Sequence, residues 1–483
     1  MTATKMEHQQ LLNLVSELMT LEHSASLLKW DHYTHGSKKG LHTRANVMGQ
    51  LAERTHTLMT NKTNATLLQE VVIEEVPEAM RPTVLYLQKE STRLNKIPRK
   101  LYTSYEKMAA KAPALWQEAR QKNDFSHFRP LFDRFVIWQM DLADELGYTS
   151  NRYDAILGLR QEGLTTAQLD QWFGRIKKEL TPIVQYAKSS DKKIKTGFLY
   201  EDVDASTHQS ILHNGLEQLG FDFEAGRMDT GHTSMTVAIQ PDDVRVAFPF
   251  AASELRNVFP KMFSEAGEAS FSQNYETLLQ GETDPSTKLA HRLLFEKFIG
   301  KSDGFWQLNY ADIQKRLSPT LDHVSYEQFY EAINAVDFTI VKSEASEVMQ
   351  PLHLLMRYEI EKAVINGEVA TKELQNIWAE KSGEHLSLLT PHDLGGILQE
   401  DNFATGSFGA PGFELLSYMN AASMYQKLSQ ETKSWQNEDV KSWLQNNAYN
   451  VDGPFSPQAL CKQDDLSAYL KVMEERFVPL YQN

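Results

Sequence analysis

The apolar positions of this chain recur mostly at intervals of three and four. Leu11, Leu14, Val15, Leu18, Leu21, Ala25 and Leu28 make one such stripe near the start, the spacing of an amphipathic helix. Stripes of the same period predict helices over Val84–Leu94, Arg99–Ala112, Phe128–Leu146, Thr166–Lys188 and Ser206–Leu219. They continue over Glu254–Leu279, Pro285–Ile299, Tyr326–Ala335, Glu344–Asn366, Lys372–Ser382, Phe413–Gln430 and Asp465–Tyr481. Hydroxyls at Thr165 and Ser325 stand as N-caps, and Gly147, Gly220 and Gly367 follow helices as C-cap glycines. Only Met235–Phe248 breaks the period. Its halves MTVAI and VRVAF are short and β-branched, and a Pro-Asp-Asp turn separates them, which predicts a hairpin or small sheet. With no linker, repeat or low-complexity run, residues 1–483 read as one large, mainly α domain with a small sheet near the middle.

Composition narrows the partners rather than the fold. A net charge of −15 argues against nucleic acid, since binding phosphates needs a basic surface. The single cysteine, Cys461, excludes an intrachain disulfide and a cysteine-based metal cluster and fits a reducing compartment. The opening MTATKMEHQQ has no apolar run of signal-peptide type, and no stretch approaches a membrane span. A cytoplasmic, acidic protein without a membrane or nucleic-acid partner is the expectation.

The chemistry is less obvious. There is no Gly-rich phosphate loop and no nucleophile elbow, and none of the fifteen histidines falls in a His-Glu-x-x-His arrangement. The stretch FSEAGEASF places Glu265 and Glu268 three apart on one helix face. Two carboxylates there suit a metal or acid/base site. On residue type alone a solvated face is the stronger reading, because Lys261 lies four residues before Glu265 at ion-pair spacing. Pro260 either opens this helix or kinks it. His291 on the next helix has no evident partner ligand and reads as a surface or core histidine.

Landmarks in sequence order then point to a family. They are Leu27-Leu28-Lys29-Trp30-Asp31, Asp243-Val244-Arg245, Phe295-Glu296 with Gly300-Lys301-Ser302 and Phe305-Trp306, the run from Pro351 to Glu361, and Gly406-Ser407-Phe408-Gly409. Together they resemble the carboxypeptidase Taq family of zinc metallocarboxypeptidases. The resemblance implies a large helical zincin-like peptidase fold, with two lobes around a deep internal cleft, and a homodimer.

It also implies zinc held by His-Glu-x-x-His and by a glutamate on the following helix, with the intervening glutamate activating the bound water. Here the first motif reads Ser264-Glu265-Ala266-Gly267-Glu268, and the third-ligand position falls on Leu289. Ser264, Glu268 and Leu289 are therefore degenerate former metal positions, Glu265 is a vestigial general base, and no cofactor is expected. The family's His-Pro-Phe falls on Thr233-Ser234-Met235, and its Ile-Arg-x-x-Ala-Asp reads Val341-Lys342-Ser343-Glu344-Ala345-Ser346.

The expected function is a catalytically inactive homologue that binds a peptide or protein C-terminus. The alternative is an active carboxypeptidase with a non-standard site, in which Glu265, Glu268 and Glu254 hold a hard cation. Arg245 and Lys342 are the candidate seats for a substrate carboxylate. The competing reading gives Arg245 to an ion pair with Asp243 or Glu254.

Overall fold

The computed structural model describes residues 3–109, 111–450, 454–455, 457–460 and 465–482. The lone cysteine, Cys461, lies outside them. The N-terminal stripe forms helix α1, Ala3–Tyr33. Helices over Leu41–Thr60, Lys62–Glu70 and Arg81–Lys96 join it around a small core of their own, which includes Leu11, Leu14, Leu18, Leu68, Val84 and Leu87. A much larger core takes in residues from Met108 to Tyr481. Among the described residues, no helix is long and apolar enough to cross a membrane.

The caps expected from sequence are present. Thr165 and Ser325 each close a capping box, with Gln168 and Gln328 respectively. Gly147, Gly220 and Gly367 all have positive φ. Several boundaries move, for local reasons. The stripe Arg99–Ala112 ends at Ala109, and a separate helix, Ala112–Lys122, starts with a proline in its first turn. The stripe beginning at Glu344 leaves a short 3-10 turn, Lys342–Glu344, and becomes α-helical only at Gln350, again with a proline in the first turn.

The expected hairpin is part of a three-stranded sheet: β1, Gly226–Thr230; β2, Met235–Gln240; and β3, Asp243–Phe248. The central strand β3 pairs antiparallel with β2 and parallel with β1. Thr236 stands opposite Val246, and Val237 opposite Arg245. Because side chains alternate along a strand, Thr236 and Val246 share one face of the sheet, and Val237 and Arg245 share the other. The second face packs on α1, where Trp30 meets Val237 and Ala247.

The chain leaves the sheet into helix α2, Leu255–Asn274, and later forms helix α3, Pro285–Leu293. Pro260 lies inside α2 rather than opening it. Beyond α3 the helix widens into a π turn at Leu294–Phe298 and then tightens into a 3-10 turn at Ile299–Lys301. Helices α2 and α3 pack very closely. A Cβ added at Gly267 would come within 2.4 Å of the His291 carbonyl oxygen, so only glycine allows this crossing. That close approach sets Arg292, whose Cα would lie 3.1 Å from the same Cβ, within reach of Ser264, Glu265 and Glu268.

Candidate functional site

Glu265 is 1% exposed, so it is not half of a solvated surface pair. Nor does Lys261, one turn upstream, reach it. Its partners come from elsewhere in the chain. Arg292 Nη2 donates to Glu265 Oε1 at 2.9 Å, and the Thr236 hydroxyl donates to Oε2 at 2.8 Å. The same guanidinium donates through Nη1 to Glu268 Oε2 at 2.7 Å and through Nε to Ser264 Oγ at 3.1 Å. One side chain thus holds three residues of the FSEAGEASF stretch.

Burial pushes the Glu265 carboxyl up to about 7; Arg292 pulls against that rise, while Glu268 and Glu296 add to it. Burial also works against the Arg292 charge, but Glu265 and Glu268 outweigh it and hold the proton on. A guanidinium stays protonated in any case, so the titrating member of the pair is Glu265.

The site opens into a cavity of about 520 Å³, within the usual range for small-molecule sites. Ser264, Glu265 and Arg292 line one part of it, and Ser234, Arg256, Lys261, Lys297, Lys301 and Ser346 line others. Arg256, Lys261 and Glu265 follow one another along α2 at four- to five-residue steps, each about one turn from the next.

The remaining sequence candidates are placed as follows. Arg245 lies on the α1-facing side of the sheet, opposite to Thr236 and Glu265. Its fork is filled by Asp243, through Nε–Oδ1 and Nη2–Oδ2 contacts of 2.7 Å each. It does not line the cavity. Lys342 pairs with Glu414 at 2.6 Å and is likewise outside the cavity lining. Glu254 pairs with Arg256 at 2.6 Å, three helical turns from Glu265, so the three glutamates do not converge on one cation. Leu289 is half-buried against the main core. His291 is a core histidine. It is fully buried, with Nδ1 against the Thr287 carbonyl at 2.9 Å and its ring against Phe271, and burial lowers its pKa to about 4.

The residues present do not fit zinc. Leu289 offers no donor atom, and Ser264 offers a hydroxyl in place of an imidazole. The oxygens of Glu265 and Glu268 that face the site are bonded to a guanidinium. One group elsewhere has metal-like spacing among the described residues, Glu359, Glu384 and His385. Lys381 bridges both of its carboxylates, at 2.7 and 3.0 Å.

Sequence reasoning missed Arg292. The available signal was its position: it lies three residues after Leu289, hence one turn along the same helix face.

The family model described as Carboxypeptidase Taq (M32) metallopeptidase matches residues 10–477. Carboxypeptidase 1 of Bacillus subtilis is 29% identical over 450 residues, covering 90% of each chain. Thermostable carboxypeptidase 1 of Thermus thermophilus is 25% identical, covering 98% of this chain and 99% of the relative. The crystal structure of an M32 carboxypeptidase from Deinococcus radiodurans superposes with a TM-score of 0.90 at 22% identity, covering 99% of each chain, a likeness of fold.

Proposed function

The chain belongs to the carboxypeptidase Taq (M32) metallopeptidase family, and from that premise we propose that it is a catalytically inactive member whose cavity binds the C-terminal end of a peptide or protein. One observation supports this reading above the others. The guanidinium of Arg292 is bonded to Ser264, Glu265 and Glu268 together. Those positions resemble the first metal ligand, the general base and the second metal ligand of an active relative. The Arg292 charge is permanent, occupies these oxygens and cannot polarise a water as a metal ion does.

Glu265 accordingly serves structure. It anchors α3 through Arg292 and the sheet through Thr236. The scaffold around it is intact. Buried Arg357 pairs with Glu400 and lies over Trp378, and the Tyr358 hydroxyl donates to Asp170 at 2.7 Å.

The test is turnover. Purified protein supplied with zinc or cobalt is expected to release no C-terminal amino acid from N-blocked dipeptides or short peptides. Release that Glu265→Gln abolishes would overturn the reading and favour a working, non-standard site.

A further inference from the structure

Five cationic side chains line the cavity: Arg256, Lys261, Arg292, Lys297 and Lys301. Four are committed to carboxylates. Arg256 pairs with Glu254 at 2.6 Å, and Arg292 pairs with Glu265 and Glu268 at 2.9 and 2.7 Å. Lys297 pairs with Glu296 at 2.9 Å, and Lys301 with Glu347 at 3.1 Å. Lys261 is the exception among the described cavity residues, because Arg292 has taken the glutamate that stands four residues after it. The ionisable neighbour that feels its charge is His208, whose pKa is lowered by burial first and by Lys261 as well. A half-buried ammonium with no counter-charge is costly unless an anion from outside completes it.

A second observation points the same way. Ser346 lines the cavity and is 3% exposed, and its buried hydroxyl has no hydrogen-bond partner. Ser234 also lines the cavity, and its Oγ is buried and unpartnered too. Buried polar atoms are normally satisfied. Two unsatisfied hydroxyls in the wall and an unpaired ammonium give the cavity donors without partners, while Asp337 and Glu344 also line it.

We propose that Lys261 is the seat for the ligand's carboxylate. This rests on the reading of the cavity as a peptide-end site, and it moves recognition away from Arg245 and Lys342, whose charges are already used. A lysine suits the position. Its ammonium is a compact charge with three donors on a flexible stem, able to meet a carboxylate one turn above the Arg292–Glu265 pair without disturbing it.

The experiment is calorimetry on the full chain with N-acetyl-trialanine, its C-terminal amide, and inorganic phosphate. Wild type is expected to bind the free acid at least about tenfold more tightly than the amide, the scale of one charge-assisted hydrogen bond. Phosphate is expected to bind more weakly than the free acid. Lys261→Met is expected to erase the preference for acid over amide, and Lys261→Arg to restore most of it. In thermal melts without ligand, Lys261→Arg should match wild type and Lys261→Met should melt no lower, because no counter-charge stabilises Lys261 there.

If wild type binds neither peptide, the peptide-end reading of the cavity falls, and this proposal with it. If wild type prefers the acid but Lys261→Met keeps that preference, only the assignment to Lys261 falls. Phosphate binding as tight as the peptide overturns the commitment to a peptide carboxylate.

Discussion

Arg292 Nη2 donates to Glu265 Oε1 at 2.9 Å, joining the residue that resembles a peptidase's general base to a cation supplied by the chain itself. The contact is possible because α3 crosses α2 at Gly267 with almost no gap. A metal ion would have to displace this guanidinium and would then find one carboxylate pair and a hydroxyl.

Removing the cation should therefore uncover a pH-dependent weakness. Breaking a buried ion pair by deleting one partner costs roughly 3–5 kcal/mol. The Arg292 side chain is 32% exposed, so solvent offsets part of that, and about 1–3 kcal/mol is expected for Arg292→Ala. The loss should be larger at pH 8.5 than at pH 5, because at pH 5 the Glu265 carboxyl already carries its proton. Urea unfolding at the two pH values measures this. Equal losses at both would mean that Arg292 contributes packing and not charge.

Glu265 makes the complementary case. Its folded pKa of about 7 lies above the ordinary 4.5, so between those values the folded state binds a proton that the unfolded chain releases. This contribution to stability is complete below about pH 4.5 and is lost as pH rises through about 7, by roughly 3 kcal/mol over the whole window. Glu265→Gln keeps the shape and removes the titration. The variant is expected to lack that decline, so its stability relative to wild type should rise between pH 5 and pH 8.5. A pH series of melting temperatures with parallel slopes for the two proteins would show that Glu265 is ionised throughout.

Much of the frame was legible because it rests on local rules. The stripe of Leu11, Leu14 and Leu18, the capping boxes at Thr165 and Ser325, and the β-branched halves of Met235–Phe248 each carry their signal within a few residues. What the sequence hid depends on tertiary approach. Lys261 and Glu265 have ideal helical spacing, yet Glu265 turns to Arg292, 27 residues away, because a buried carboxylate gains more from a close guanidinium than from a flexible ammonium. Arg245 looked available from its residue type, but strand alternation sends it to the opposite face of the sheet from Glu265, and Asp243 fills its fork. The β1 strand, Gly226–Thr230, went unread because its residues GRMDT alternate weakly and its pairing with β3 is non-local.

The helix crossing itself can be tested. Gly267→Ala places a methyl 2.4 Å from the His291 carbonyl oxygen, and backbone cannot swing aside as a side chain does. Alanine is worth up to about 1 kcal/mol in helix propensity, but overpacking costs about 1–3 kcal/mol, so a net loss of stability is expected. Because α3 must retreat from α2, the extra cost of adding Arg292→Ala should be smaller in the Gly267→Ala background than in wild type. A double-mutant cycle reads this coupling; strict additivity would separate the crossing from the ion pair.

The strongest test asks whether Arg292 is what keeps a metal out. Two histidines at i and i+4 with a glutamate on the neighbouring helix are a sufficient zinc donor set. Ser264→His, Glu268→His and Leu289→Glu together supply it on this backbone. In that triple variant the Arg292 charge still lies among the ligands. Two unit charges about 4 Å apart repel by about 4 kcal/mol at an effective dielectric of 20, and zinc carries two, enough to offset much of the affinity the new ligands provide. Little zinc is therefore expected in the triple variant, and about one zinc per chain once Arg292→Ala is added to the same three ligands. Elemental analysis after dialysis distinguishes the two proteins, and thermal melts with and without added zinc report binding independently of any activity. Stoichiometric zinc in the triple variant with Arg292 in place would show that the donor set alone decides zinc binding here and that the guanidinium is a bystander.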